Sequence, residues 1–302
     1  MENAIKINGI TKKYKGFTLG PINLEIPCGF STALIGANGA GKTTLIDVIC
    51  GVTGKSGGEC VYFGDKTDID DSDLRNRIGY CSSMNFFPLT WDLKTIAEAM
   101  EIGFDNFDRN RFKDMCKRFK LEDPTAKKTK KLMKLSDGNK MRTYLAAVLA
   151  RNTELLVLDE PASSLDPLAR DVLCEIFREY LAEGDGNRSI IFSTHNIADM
   201  EYATDYAVFM AGGKVIEQGF VEDLKEKYSD DEFYFFLDTI YDYYDKSGIL
   251  DSNDEYVDID INEIAGFIAK EAKKCNIGDF DPEELYFIVE GELAYNGIVD
   301  EE

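Results

Sequence analysis

The stretch Gly36-Ala37-Asn38-Gly39-Ala40-Gly41-Lys42-Thr43 fits the pattern G-x-x-x-x-G-K-[ST] at every position. Glycines at this spacing let consecutive backbone N–H groups turn toward one anion, while the lysine reaches the outer phosphates and the final hydroxyl is offered to Mg²⁺. The residues before it, Ser31 to Ile35, read as a buried strand, and Lys42 to Cys50 continue as a helix. Strand, loop and helix in that order bring the positive end of the helix dipole to the phosphate site. A purely structural glycine turn is the competing reading, and this context disfavours it.

Working outward, the run Leu155-Leu156-Val157-Leu158-Asp159-Glu160 supplies two acids at the end of an apolar strand. Asp159 is thereby aimed at the ligand edge of a sheet, where Mg²⁺ would sit. Glu160 is placed to orient, or accept a proton from, an attacking water. Leu155 to Leu158 and Ser189 to Phe192 are continuous apolar runs alternating with helical segments, as in a parallel sheet covered on both faces. Residues 4 to 35 alternate like hairpin strands, with turns expected at Gly16, Gly20-Pro21 and Cys28-Gly29. Glu59 to Phe63 and Ile78 to Cys81 read as short strands around an acidic linker, Asp65 to Asp73. From Trp91 to Ala150 the spacing of Ile96, Met100, Met115, Phe119, Tyr144 and Val148 is helical, which predicts a helical arm over about 92–150. Tyr206 to Met210 and Lys214 to Glu217 flank Gly212-Gly213 as a hairpin.

Charge divides the chain. From Val221 onward there are 25 Asp and Glu against 6 Lys and Arg, so that the tail holds most of the net charge of −22. This tail is also rich in tyrosine, with candidate helices at Glu222 to Lys227, Asn262 to Lys274 and Pro282 to Phe287. A net-acidic chain without a basic stripe argues against nucleic acid as the main partner. The seven cysteines contain no C-x-x-C pair and no metal-ligand spacing, which suits reduced thiols in a cytosolic setting. The N-terminus lacks a secretion signal, and no run approaches the ~18 apolar residues that span a bilayer. A membrane role would need a partner chain.

Between the two nucleotide motifs lies Leu135-Ser136-Asp137-Gly138-Asn139-Lys140-Met141-Arg142. In this order, and together with Glu160-Pro161-Ala162-Ser163-Ser164-Leu165-Asp166-Pro167 and Ser193-Thr194-His195, it resembles the ATP-binding cassette (ABC) family over about residues 1 to 220. The resemblance implies an α/β fold of the P-loop NTPase type, with an antiparallel β layer, a helical subdomain over about 92–150 and a small C-terminal α/β accessory domain at 221–302. It implies ATP and Mg²⁺ as ligands. Nucleotide contacts are then expected from Tyr14, Gly36, Asn38, Gly39, Ala40, Gly41, Lys42, Thr43 and Thr44, with Phe17 competing with Tyr14 for adenine stacking. Metal contacts are expected from Thr43, Asp159 and Ser83. Catalysis is expected from Glu160, His195 and Lys42, where His195, the chain's only histidine, resembles the family's switch residue. Ser136, Asp137, Gly138 and Asn139 would face the nucleotide of a second copy, with Ser164 and Asp166 in the loop after the catalytic acid. A head-to-tail homodimer follows from that resemblance.

Two positions depart from the family pattern. Ser83 stands where the family has a glutamine, and its shorter hydroxyl reaches a metal only through water. Asp137 replaces the first glycine of the signature pair and brings a carboxylate near a polyanion; it is expected to point away. The basic run Lys127-Lys128-Thr129-Lys130-Lys131 is a solvated helix end, a neutraliser of that charge or a contact for lipid headgroups. Met84 to Trp91 occupies the place where the family receives a membrane permease, and its aromatics are expected to line a groove. Gly219 to Lys227 and Asp281 to Phe287 are similar to features of an exporter branch. The expected role is therefore the ATPase subunit of a membrane exporter at the cytoplasmic face of the cell membrane, moving an amphipathic peptide or drug-like molecule. Two alternatives are a soluble ABC-type ATPase acting on nucleic acid or ribosomes, and an ATP-gated interaction module with feeble hydrolysis. The first needs a long coiled-coil insertion or a second cassette, yet the 117-residue interval from Lys42 to Asp159 carries no heptads.

Overall fold

The computed structural model describes residues 2–36, 38–67, 69–83, 86–195, 200–227 and 260–295, together with Phe235, Thr239 and Tyr243. Two sheets form its frame. Strands β1 (Asn3–Lys13), β2 (Thr18–Pro27) and β4 (Gly57–Tyr62) make an antiparallel layer in the order β2-β1-β4. Strands β3 (Ser31–Ile35), β5 (Ile78–Cys81), β6 (Leu155–Leu158), β7 (Ser189–Thr194), β8 (Tyr206–Ala211) and β9 (Lys214–Phe220) make the second sheet, in the order β5-β6-β7-β3-β8-β9. All its pairings are parallel except β8 with β9, the expected hairpin.

Helix α1 (Lys42–Ile49) leaves β3 through the glycine loop, and α2 (Ser72–Arg77) starts at the end of the stretch read as an acidic linker and runs on to β5. The helical arm is built from α3 (Leu93–Gly103), α4 (Arg109–Arg118) and α5 (Asp137–Leu149), and α6 (Pro167–Glu183) follows the second acidic motif. Asp92, Asp108, Ser136 and Asp166 each accept a backbone N–H at the start of α3, α4, α5 and α6. Such caps satisfy donors that a helix cannot satisfy internally, which fixes where each helix begins.

The parallel sheet divides two hydrophobic cores. Leu156, Leu158, Ile190 and Phe192 face a core that includes Met100, Phe112, Tyr144 and Phe177, so the arm and α6 pack on this side. Leu155, Val157, Ile191 and Leu34 face the other core, shared with Leu45 and Ile46 of α1 and with Ile5, Ile7 and Leu24 of the antiparallel layer. The unbroken apolar runs in β6 and β7 follow from this double burial.

Gly20-Pro21 departs from the expectation. It does not form a turn but sits inside β2, where the register against β1 slips between Ile10↔Ile22 and Lys12↔Leu19. A β-carbon on Gly20 would lie 2.0 Å from the Ile10 carbonyl oxygen, so the pair marks an irregular close approach of two strands. The tail begins with α7 (Val221–Lys227), and beyond it the described elements are α8 (Ile261–Lys274) and α9 (Pro282–Tyr295), longer than the expected Pro282 to Phe287. Ile264, Ile268, Leu285 and Val289 give this helix pair a core of its own. Among the described residues the tail is helical and holds no strand, so only the helical half of the expected α/β accessory unit lies within them.

Candidate active site

The glycine loop is held from both ends. Gly41 has φ of 102°, a left-handed conformation, and a β-carbon there would meet Leu19 Cδ1 at 2.9 Å and Phe17 Cζ at 3.1 Å. Only glycine enters this position without strain, and the hairpin layer forms its roof. Asn38 and Gly39 are exposed, Ala40 is buried and Thr44 is half-buried; Ala37 lies outside the described residues. The Lys42 ammonium, 5% exposed, folds back and donates to the Gly36 carbonyl oxygen at 2.5 Å.

Asp159 is the centre of the site. Its carboxylate is 2% exposed and accepts Ser193 Oγ at 2.7 Å, Thr43 Oγ1 at 3.1 Å and Ser83 Oγ at 3.2 Å. Buried polar oxygens need hydrogen-bond partners in place of water, and three hydroxyls supply them here. The backbone places them: Asp159 N–H donates to the Cys81 carbonyl at 2.9 Å, which aligns the ends of β5 and β6, and β7 delivers Ser193 beside them. Ser193 is a site residue that sequence reasoning passed over, having quoted it only as part of a motif. Its signal was its place at the end of an apolar strand.

Glu160 follows with φ of 47°, a conformation that costs a non-glycine residue roughly 1–3 kcal/mol and turns the chain sharply after β6. Its N–H donates to Ser193 Oγ at 2.8 Å. Its carboxylate lies 3.8 Å from Lys42 Nζ and 3.0 Å from His195 Nδ1. The loop residue, the acid and the histidine thus converge, although they come from three separate parts of the chain.

The oxygen set fits Mg²⁺. Hard divalent cations take carboxylate, hydroxyl and phosphate oxygens, and Thr43, Asp159 and Ser83 present such donors in one place. Among the described residues no group of three or more His, Cys, Asp and Glu converges as a metal cage. A site of one carboxylate and two hydroxyls is left with places for nucleotide phosphates and water.

One turn beyond Thr43, Asp47 accepts the Tyr80 hydroxyl at 3.1 Å. Burial raises the Asp47 carboxyl above the usual carboxylate range against the opposing Tyr80 hydrogen bond, and the negative charge of Asp159 raises it further. Burial likewise pushes the Tyr80 phenol up. Neither residue was singled out from sequence.

Tyr14 is 48% exposed, with Lys12 Nζ 5.3 Å from its ring centroid. Phe17 is half-buried and packs against Gly41, whereas the Tyr14 ring faces solvent.

The signature turn lies elsewhere. Ser136 caps α5, accepting Asn139 N–H at 3.4 Å, and Thr143 Oγ1 donates to the Asn139 carbonyl at 2.8 Å. A β-carbon on Gly138 would stand 2.6 Å from the Ser164 carbonyl oxygen, so α5 begins in tight contact with the loop after Glu160. Asp166 caps α6 and pairs with Arg142 of α5, which ties that loop to the signature helix a second time. Asp137 points into solvent and pairs with Lys140 at 2.8 Å.

The expected groove at Met84 to Trp91 is largely filled. Met84 and Asn85 lie outside the described residues. Phe86 and Phe87 stack edge-on at 4.8 Å and pack inward on Tyr144, at 5.9 and 5.8 Å, while Trp91 stacks on Phe87 at 6.0 Å. Pro88 and Leu89 remain exposed. Among the described residues no helix is long and apolar enough to cross a membrane.

Comparison with known proteins follows the same outline. Residues 19–163 match the family model for the ABC transporter. An uncharacterised ABC transporter ATP-binding protein of Synechocystis is 33% identical over 244 residues, 77% of this chain; the match spans 66% of that protein, just short of two thirds. The nickel import ATP-binding protein NikO of Rhodobacter capsulatus is 30% identical over 231 residues, 72% of this chain and 90% of that protein. Among solved structures, a dimeric ATP-binding cassette in a post-hydrolysis state bound to ADP and Pi superposes with a TM-score of 0.62, at 24% identity, over 72% of this chain and 98% of the other. By motif order, fold and similarity the chain belongs to the ABC transporter ATP-binding family, whose P-loop domains hydrolyse ATP.

Proposed function

We propose that this chain is the ATP-hydrolysing subunit of a membrane exporter, that two copies close head to tail on two ATP molecules, and that their association drives a separate permease. The observation that carries the reading is the separation of two half-sites. Lys42, Thr43, Asp159, Glu160 and His195 converge in one place, whereas Ser136 to Asn139 contact their own helix and Ser164. Alone, each half holds one wall of a reaction chamber.

In this reading Tyr14 stacks on adenine, the amides of residues 36–44 hold the phosphates and Lys42 leaves Gly36 for the outer phosphate oxygens. Thr43 and Asp159 would hold Mg²⁺, with Ser83 reaching it through water, and the ion would neutralise charge on the outer phosphates. Glu160 orients the attacking water or takes its proton, with His195 at the carboxylate oxygen other than the one nearest Lys42. Ser136 and the Gly138 amide of the second copy approach the terminal phosphate. Residues 1–220 form the cassette and 221–302 an acidic accessory unit.

The permease contact is assigned to Met84 to Trp91, supported by exposed Pro88 and Leu89 above the aromatic cluster. An amphipathic peptide or drug-like molecule is the proposed cargo. NikO is an import protein, so direction is decided by transport and not by kinship. The test is to co-express the chain with the membrane protein encoded beside it, reconstitute both in vesicles and follow ATP-dependent movement of amphiphiles out of the ATP-containing side. Failure to associate, with ATP turnover indifferent to that protein, overturns the exporter. Full turnover per copy under dilution that prevents pairing overturns the dimer.

A further inference from the structure

Asp137 puts a carboxylate in the first turn of α5, on the surface assigned to the second copy's nucleotide. Left uncompensated, a unit negative charge near a triphosphate opposes closure, and it also cancels the positive potential that a helix start offers an anion. The structure shows how the charge is handled. Lys140, one turn on, donates to Asp137 Oδ1 at 2.8 Å. The carboxylate is 87% exposed while the lysine is only 23% exposed, so a largely covered lysine holds an acid that stands in solvent. Arg142, the next cation on this helix, is engaged with Asp166 and the Phe119 carbonyl. With its carboxylate in solvent the pair adds little to folding.

Resting on the head-to-tail reading, we propose that Lys140 is a positioning residue that neutralises Asp137 and holds it aside, making an acidic signature turn compatible with the terminal phosphate of a nucleotide bound by a second copy. Lys140 need not touch that phosphate. It acts through Asp137, and its value vanishes where the acid is absent.

The experiment is a double-mutant cycle on the full chain carrying Glu160→Gln, with ATP- and Mg²⁺-dependent dimerisation followed by analytical ultracentrifugation. Lys140→Ala is expected to weaken the dimer about tenfold, Lys140→Arg to retain it, and Asp137→Gly to remove the dependence, so that adding Lys140→Ala then changes affinity less than about twofold. Thermal melting of each variant without nucleotide is expected to stay near that of the parent. Equal losses from Lys140→Ala with and without Asp137, or no rescue by arginine, overturn the inference while leaving the dimer intact. If the Glu160→Gln chain itself stays monomeric with ATP, the dimer reading falls and this inference with it.

Discussion

Asp159 and Asp137 are carboxylates in two motifs of one enzyme, and their settings could hardly differ more. Asp159 is buried, with three hydroxyls on its oxygens and its backbone pinned to the neighbouring strand. Asp137 stands in solvent with a single lysine beside it. The first belongs to a polar cluster gathered within one chain, the second to the face that the proposed dimer would turn toward another copy.

The sharpest way to break that comparison is Glu160→Gln. Losing the acid that faces both Lys42 and His195 is expected to lower turnover by roughly 10²–10⁴ while ATP still binds and the dimer accumulates. Steady-state turnover beside sedimentation checks it, and equal slow rates in parent and variant would favour an ATP-gated module without real hydrolysis. Next in size is Lys42→Ala. Removing a charge-assisted phosphate contact is expected to weaken ATP binding by about 10- to 100-fold, measured by calorimetry, with the monomer's fold retained. Unchanged affinity would contradict the placement of the phosphates in this loop.

Gly138→Ala tests the other side. With only 2.6 Å to the Ser164 carbonyl, the added methyl must displace the loop, at a cost of roughly 1–3 kcal/mol shared between stability and closure. ATP binding to the monomer should survive while dimer-dependent turnover falls. A variant with parental turnover would show that the signature helix and the loop are not held in register. The smallest effect is expected at Asp47. Its folded carboxyl titrates above the usual range, so it favours folding below that range and becomes a net cost as pH rises through its folded value. Asp47→Asn should therefore be stabilising at pH 8, and the gain should shrink as the pH falls toward about 4, the ordinary aspartate value. Denaturant melts at the two pH values check the sign, and a gain larger at the lower pH would refute it.

The cluster around Asp159 rests on patterns that are legible in sequence, as does the signature turn. Glycines, lysine and hydroxyl at fixed spacing, and acids ending apolar strands, are local patterns with local physical causes, and the structure brings Lys42, Thr43, Asp159, Glu160 and His195 together. The departures come from contacts between distant segments. Gly20-Pro21 reads as a turn because glycine and proline punctuate turns, but only the partner strand reveals the slipped register. Phe86 and Phe87 read as a groove lining because exposure is invisible in a short apolar run, and only Tyr144 on α5 shows that they face inward. The contacts of Ser193 with Asp159 and of Tyr80 with Asp47 are set by the order of the strands and by the packing of α1 on the sheet, which no local pattern records.

The parallel sheet also acts as a partition wall. Helix α1, which carries the lysine and threonine of the nucleotide loop, is rooted in one oily compartment, while α5, which opens with the signature turn, is rooted in the other. Loosening Phe112 or Met115 should blunt the grip on a neighbouring copy and spare the chain's own hold on ATP, whereas loosening Ile5 or Leu24 should do the reverse. Evolution could therefore retune the clasp and the cradle separately, by repacking one room at a time.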